Sequence, residues 1–134
     1  MKTLKIFPYL IIIFNLCSCN SDDDGSSNGD TEDLLTDSTW YQESRSPEAF
    51  SDCEKNGSFK FNNDNTLDIE SFNDDSGTCE SLETISVAYE LSSMMLTIPI
   101  DSEIITATIN SISESSLSVT DSEGDTIIFD KIQG

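Results

Sequence analysis

The chain has 134 residues, and 26 acidic side chains against 6 basic ones give it a formal net charge of −20 at pH 7. So acidic a protein is not expected to bind nucleic acid, which requires a basic face, or to dock on anionic lipid through its surface. The chain has no histidine, so the commonest general base and a frequent zinc ligand are absent.

The N-terminal segment resembles a secretory signal peptide. Lys2 and Lys5 form a basic start, and residues 6–16 are an almost unbroken apolar run. This run is too short to cross a bilayer as a permanent helix, which needs about 20 apolar residues. We therefore predict that residues 1–18 are a signal peptide; an uncleaved anchor and an ordinary, lipid-free signal are the alternatives.

Cys19 is the predicted lipidation site. Residues 16–19 (Leu-Cys-Ser-Cys) resemble the lipobox of bacterial lipoproteins, with the small Ser18 directly before the modified cysteine. Cys17 fits less well, because Leu16 would then precede it where a small residue is expected. The resemblance implies a diacylglycerol on the thiol of Cys19 and a further acyl chain, such as palmitate, on its amine. Three chains would hold the protein firmly on a membrane.

An acidic segment of low hydrophobicity follows this cysteine. Residues 20–37 contain seven acidic and no basic side chains, a composition that keeps a segment disordered and extended. We therefore predict a disordered tether over residues 19–34. Residues 21–24 (Ser-Asp-Asp-Asp) also resemble the signal that sends Bacteroidetes lipoproteins to the outer face of the outer membrane, although a solvated acidic spacer is the alternative. The expected location is the cell surface of a Gram-negative bacterium.

Two cysteines remain once the signal peptide and the lipid account for the others. Cys53 and Cys79 form an even pair in an oxidising compartment, which favours a disulfide. Their spacing is not that of a CxxC redox motif, and no histidine is present to complete a zinc site. We predict a structural disulfide, no metal site and no cofactor.

From Ser58 onward, apolar and polar residues alternate with a period of two, which predicts half-buried antiparallel strands. The apolar positions are Phe59 and Phe61; Leu67 and Ile69; Ile85, Val87, Tyr89 and Leu91; Met94, Leu96, Ile98 and Ile100; Ile105, Ala107 and Ile109; Leu117 and Val119; and Ile127 and Phe129. Short clusters of Asn, Asp, Ser and Gly separate these runs and suit hairpin turns. With the run around Trp40, about eight strands are predicted. An all-β, up-and-down antiparallel barrel over residues 35–134 is the most economical arrangement, because it leaves no exposed sheet edge.

Short motifs in this region resemble those of lipocalin-like domains when they are taken in chain order. The matching segments are Leu35 with residues 38–40 (Ser-Thr-Trp), residues 58–67 with Asn65 at the family's glycine position, residues 87–98, and residues 109–119. The resemblance is to the small lipocalin-like lipoproteins of Bacteroidetes. It implies a barrel with Trp40 packed across its closed end.

No catalytic constellation is apparent in the chain, and we do not expect it to be an enzyme. The carboxylates that stand in pairs, such as Asp74 and Asp75, lie in turn-rich segments where they stay ionised. Residues 64–68 have some similarity to a calcium loop but lack its glycine and terminal glutamate, so a hairpin turn is predicted there.

Two functions are compatible with such a barrel. The lipocalin-like resemblance implies binding of a small apolar or amphipathic ligand, with Phe59, Phe61, Tyr89 and Phe129 as candidate contacts. In the alternative, these rings together with Phe72 fill the interior, and the acidic exterior contacts a protein or glycan partner. The sequence favours the first function.

Overall fold

The computed structural model describes residues 28–134. The predicted signal peptide, the lipidation site at Cys19 and the first part of the predicted tether lie outside the described residues. Within residues 28–134, no helix is long and apolar enough to cross a membrane.

The described chain consists of one helix, one short 3-10 turn and eleven strands. Their bounds are α1 Asn28–Thr36, β1 Thr39–Ser46, the 3-10 turn Glu54–Asn56, β2 Ser58–Phe61, β3 Thr66–Glu70, β4 Phe72–Asn73, β5 Glu80–Ser81, β6 Ile85–Ala88, β7 Glu90–Ser92, β8 Met95–Ile100, β9 Glu103–Ile112, β10 Ser116–Asp121 and β11 Thr126–Asp130. Apart from the two-residue strands β4 and β5, the strands coincide with the predicted runs, whose alternating apolar side chains share one face of the strand.

Nine of the strands form one antiparallel sheet, in the order β6-β3-β2-β1-β11-β10-β9-β8-β7. The two outermost strands are consecutive in the chain, with only Tyr89 between them. Because β6 pairs with β3 and β7 pairs with β8, this one run of chain joins the two ends of the sheet into a nearly closed barrel. The predicted all-β, up-and-down antiparallel barrel is confirmed. Its sheet has nine strands instead of about eight because the predicted strand from Ile85 to Leu91 is divided at Tyr89.

The barrel has two different ends. At the helix end, α1 packs against β2, β7 and β9, and the hydroxyl of Thr31 donates to the Sδ atom of Met94 at 3.5 Å. The opposite end, the loop end, carries the turns between β8 and β9 and between β10 and β11, together with the long loops that follow β1 and β3. The two ends therefore differ in how completely they are covered.

Helix α1 corrects the predicted boundary of the domain. Residues 28–34 were expected to be disordered tether, yet they are helical and continue directly into the barrel. Thr31 and Leu35 are four residues apart on one helix face, and they are 1% and 0% exposed. Composition alone misses this helix because its acidic residues Asp30 and Asp33 lie on the solvent side. Asp30 also stands in the first turn, where a negative charge is favourable.

The segment between β2 and β3 forms the predicted hairpin turn. Asn65 has a left-handed φ of 63°, which asparagine tolerates better than most residues other than glycine. The Oδ1 atom of Asp64 accepts hydrogen bonds from the backbone N–H of Thr66 at 3.1 Å and from its hydroxyl at 2.6 Å. The carboxylate thus stabilises the turn.

Cys53 and Cys79 form the predicted disulfide, with their Cα atoms 5.5 Å apart. Cys53 directly precedes the 3-10 turn, and Cys79 directly precedes β5. Strands β4 and β5 pair with each other in a small separate sheet. The disulfide therefore joins the loop after β1 to this small sheet at the loop end.

The hydrophobic core occupies the barrel interior. The buried residues of this core are Leu35, Trp40, Phe61, Leu67, Tyr89, Leu96, Ile98, Ile109, Leu117, Val119 and Phe129. Trp40 is 0% exposed, and the Nζ atom of Lys131 lies 5.1 Å from its ring centre and 3.1 Å from the Oδ2 atom of Asp37. The lone tryptophan thus packs across the closed end, as the resemblance implied.

Candidate ligand-binding cavity

A cavity of about 160 Å³ lies inside the barrel. Its walls are Phe59 and Phe61 of β2, Leu96 and Ile98 of β8, Ile105 and Ala107 of β9, Leu117, Val119 and Asp121 of β10, and Ile127 and Phe129 of β11. All but one of these side chains are apolar. An engineered cavity of about 150 Å³ with similar walls stays dry and binds benzene, so this volume suits one small apolar group.

Strands β10 and β11 form the most regular wall of the cavity. Leu117 faces Phe129 and Val119 faces Ile127 in directly opposed cross-strand pairs, and side chains at opposed positions lie on the same face of a sheet. The ring of Phe59 lies 5.1 Å from the ring of Phe129, with their planes tilted by 54°. The antiparallel register therefore brings residues distant in sequence around one space.

The cavity opens toward the loop end. Ile105, which lines it near the start of β9, is 38% exposed. Toward the helix end, the barrel is filled by three side chains that are 0% exposed: Trp40, Leu35 and Leu67. The cavity is therefore a pocket that is open at the loop end and closed by the hydrophobic core at the helix end.

Asp121 is the polar exception in the cavity wall. It is the last residue of β10 and stands opposite Ala107 of β9, which also lines the cavity. Its Oδ1 atom accepts hydrogen bonds from the backbone N–H groups of Glu123 and Asp125, both at 2.9 Å. These two bonds hold the turn between β10 and β11 and fix the carboxylate at the cavity's mouth.

Three of the four predicted ligand contacts are brought together around the cavity. Phe59, Phe61 and Phe129 all contribute to its wall. Their contact with a ligand stays a prediction. Phe72 lies in β4, outside the nine-stranded sheet, so it does not contribute to the filling of the interior.

Tyr89, the fourth predicted contact, does not line the cavity. Its ring meets that of Phe61 edge-on, with centres 5.1 Å apart and planes at 83°. Its backbone N–H donates to the carbonyl oxygen of Asn65 at 3.0 Å, and its hydroxyl donates to that of Asn62 at 3.3 Å. Burial raises the pKa of this hydroxyl, as do the negative charges of Glu32 and Asp64. Tyr89 thus supports the wall from behind, at the break between β6 and β7.

The aliphatic residues of the cavity wall and its one acidic residue were not among the ligand contacts predicted from the sequence. Leu117 and Val119 were recognised as inward positions, but periodicity does not say which part of an interior stays empty. Asp121 begins one of the polar clusters that separate the apolar runs and suit hairpin turns. It continues the spacing of Leu117 and Val119 by two more residues, and this was the signal for an inward carboxylate.

A second depression, of about 250 Å³, lies on the outer face of β1, β2 and β3. Its lining is mostly polar and includes Lys60, Asp68 and Glu70. The Asp68 carboxylate already accepts hydrogen bonds from the Ser86 hydroxyl and from the amide of Asn62, which hold the pKa of Asp68 below its usual range. Because one of its two carboxylates is already engaged within the protein, this surface is a weaker candidate than the interior cavity.

Within the part of the chain that the structure describes, no group of three or more His, Cys, Asp and Glu side chains is close enough to hold a metal ion. The cavity suits the binding of an apolar group, because ten hydrophobic side chains surround it and one carboxylate stands at its mouth.

Comparisons with known proteins agree with the observed fold. The chain matches the lipocalin-like domain family over residues 20–119. Among solved structures, it is similar to a lipocalin-like protein from Bacteroides uniformis, with a TM-score of 0.58 and 15% sequence identity over 74% of this chain and 99% of that protein. At this identity the similarity shows the fold. No curated protein matches the chain.

Proposed function

The chain belongs to the lipocalin-like domain family, and we propose that it is a non-enzymatic, lipid-anchored protein whose barrel binds a small apolar or amphipathic ligand. The observation that supports binding is the cavity of about 160 Å³, with its apolar walls and its mouth at the loop end. Removal of apolar surface from water supplies the driving force, at about 25 cal/mol per Å².

The size of the cavity limits the ligand. Sites for drug-sized molecules usually enclose about 300–1,000 Å³, well above the 160 Å³ found here. The cavity therefore accepts a single ring or a short chain, and a larger amphipathic ligand would leave its remainder outside the mouth. Since the buried apolar area is small, we expect micromolar to millimolar affinity for a single ring.

Toluene is a suitable probe of this proposal. The mature chain, residues 19–134, is prepared with Cys19→Ser so that no lipid or detergent competes for the probe, and methyl NMR spectra are recorded during the titration. We expect saturable shifts of the methyl groups of Ile98 and Val119, which line the cavity, and none for Leu35 at the helix end. Failure to saturate would contradict ligand binding and favour the packed barrel with an external partner.

A matched pair of variants checks the location of binding. Ala107 lines the cavity, whereas Ala88 is exposed on β6 outside it. Ala107→Leu should fill part of the void and weaken toluene binding at least fivefold, with little cost in stability because the space is already empty. Ala88→Leu adds the same atoms outside and should leave the affinity unchanged. Equal effects of the two variants would rule out the interior site.

The proposed location is the outer face of the outer membrane of a Gram-negative bacterium, with the anchor on Cys19. The lipobox-like residues 16–19 and the acidic residues that follow support this proposal. Replacement of Cys19 by Ala should leave the domain intact but either soluble or unprocessed, whereas Cys17→Ala should be lipidated normally. If Cys19→Ala still partitioned with membranes after cleavage of its signal, the anchor would be disproved.

A further inference from the structure

We infer that Asp121 makes the cavity selective for apolar amines, that is, for ligands in which a protonated amino group is attached to a small apolar ring or chain. This inference rests on the proposed function and names the class of ligand. In the cavity wall, one carboxylate accompanies ten hydrophobic side chains.

The carboxylate of Asp121 is placed to meet a bound ligand. Leu117, Val119 and Asp121 alternate along β10 and all three line the cavity. Asp121 is the outermost of them, at the end of the strand nearest the mouth. A ligand whose apolar part lies between Val119 and Phe129 would therefore present its other end to this carboxylate.

Asp121 also retains hydrogen-bonding capacity for a cation. Its Oδ1 atom accepts two backbone N–H groups of its own turn, while an ionised carboxylate offers about four acceptor positions in total. Among the described residues, no lysine or arginine forms an ion pair with it. The turn therefore orients the group without neutralising its charge, and its Oδ2 atom is left to accept hydrogen bonds from a protonated amine.

Arg45 is the basic residue that could compete for this role, but the loop after β1 engages it. Its position opposite Ile127 in the β1–β11 pair faces the barrel interior. However, its guanidinium lies 4.5 Å over the ring of Phe50, and its Nε atom donates to the carbonyl oxygen of Glu48 at 2.9 Å. Arg45 does not contribute to the cavity wall.

The charges on the two turns beside the mouth have the same sign as Asp121. Asp101 and Glu103 lie at the turn between β8 and β9, and Glu123 and Asp125 lie at the turn between β10 and β11. Neither turn contains a basic residue. Negative potential at a narrow, apolar entrance attracts cations and repels anions. Carboxylic acids should therefore be the worst ligands of a given size, and amines the best.

Three probes of nearly equal shape separate these effects: toluene, benzylamine and benzoate. With the mature Cys19→Ser chain at pH 7 and low salt, we expect benzylamine to bind about fivefold more tightly than toluene, and benzoate to bind more weakly than both. In Asp121→Asn, benzylamine should lose about fivefold in affinity while toluene is unaffected. The amide oxygen can still accept the turn's hydrogen bonds, and an unchanged unfolding midpoint would verify that the turn is intact.

Asp125→Asn is the matched control, because it removes the same charge from the same turn at a residue that does not line the cavity. It should retain most of the preference for benzylamine. An equal loss in both variants would assign the preference to the general negative field and overturn the role of Asp121. Binding of toluene without any preference for the amine would overturn the inference alone, whereas absence of toluene binding would overturn the proposed function as well.

Discussion

The indole Nε1 of Trp40 donates a hydrogen bond of 3.0 Å to the backbone carbonyl oxygen of Leu35, and both residues are completely buried. Leu35 lies in the last turn of α1, where backbone carbonyl groups have no partner within the helix. The bond satisfies a buried donor and a buried acceptor at once. It joins the helix, which was not expected from the sequence, to the first strand of the barrel.

Replacement of Trp40 by Phe should lower the free energy of unfolding by about 2–4 kcal/mol. The change leaves the carbonyl oxygen of Leu35 without its partner and opens a small void in the core. Urea unfolding, followed by circular dichroism, measures the difference. Tyr41→Phe is a control on the outer face of the same strand, and an effect as large as that of Trp40→Phe would argue against a special role for the indole.

The packing of α1 can be tested by two neighbouring leucines. Leu35 is buried in the core, whereas Leu34 is only partly buried. Leu35→Ala should cost about 2–5 kcal/mol in unfolding free energy, and Leu34→Ala less than about 1 kcal/mol. Similar values for the two variants would mean that the helix does not dock as described.

Loss of the disulfide between Cys53 and Cys79 should lower the free energy of unfolding by about 3.5 kcal/mol, on the chain-entropy estimate for a loop of this length. The double variant with alanine at both positions, in the Cys19→Ser background, provides the measurement. Since neither cysteine lines the cavity, toluene affinity should change less than twofold. A large loss of affinity would show that the tied loops shape the pocket.

The turn between β7 and β8 should be improved by Ser93→Asn. Ser92 pairs with Met95, so the turn has two residues, and both Ser93 and Met94 have positive φ, at 49° and 67°. Asparagine adopts this conformation more readily than serine. We expect a gain of about 0.5–1 kcal/mol in thermal or urea unfolding. Ser92→Asn, within the strand, should give no gain, and an equal gain there would refute the turn argument.

Acid should weaken the interaction between Ser86 and Asp68. The hydroxyl of Ser86, and then the amide of Asn62, hold the pKa of Asp68 below its ordinary value of 3.8. A group with a lowered pKa stabilises the fold above its ordinary pKa, and this stabilisation disappears as the pH falls below that value. Because water reaches this carboxylate, Ser86→Ala should cost less than about 1 kcal/mol at pH 7.

Two measurements check this dependence. Carboxyl NMR titration should show a higher pKa for Asp68 in Ser86→Ala than in the parent chain. The stability difference between the two chains should also shrink as the pH falls to about 2. The exposed Ser111→Ala provides a control whose effect should be independent of pH. A pKa unchanged by Ser86→Ala would contradict the assigned cause.

The barrel and the disulfide could be predicted from the sequence, because the first follows from a local pattern of apolar residues and the second from the number of cysteines. Alternation such as that of Leu117 and Val119 indicates a strand with one buried face, and an even pair of cysteines in the predicted oxidising compartment favours a disulfide. The helix was not readable, because only Thr31 and Leu35 of its inward face are buried. In a prediction from composition, the acidic residues around these two outweigh them and indicate a disordered segment.

The sequence by itself determined the strands of the barrel, their inward positions, the pairing of Cys53 with Cys79 and the strong negative charge. Only the tertiary structure decided where the interior is filled and where it is open. Trp40 and Leu35 fill the helix end, while the register of β10 and β11 leaves a space between Phe59 and Val119 and places Asp121 at its mouth. Periodicity assigns each side chain to a face, but a cavity depends on how the volumes of many distant side chains combine across the barrel.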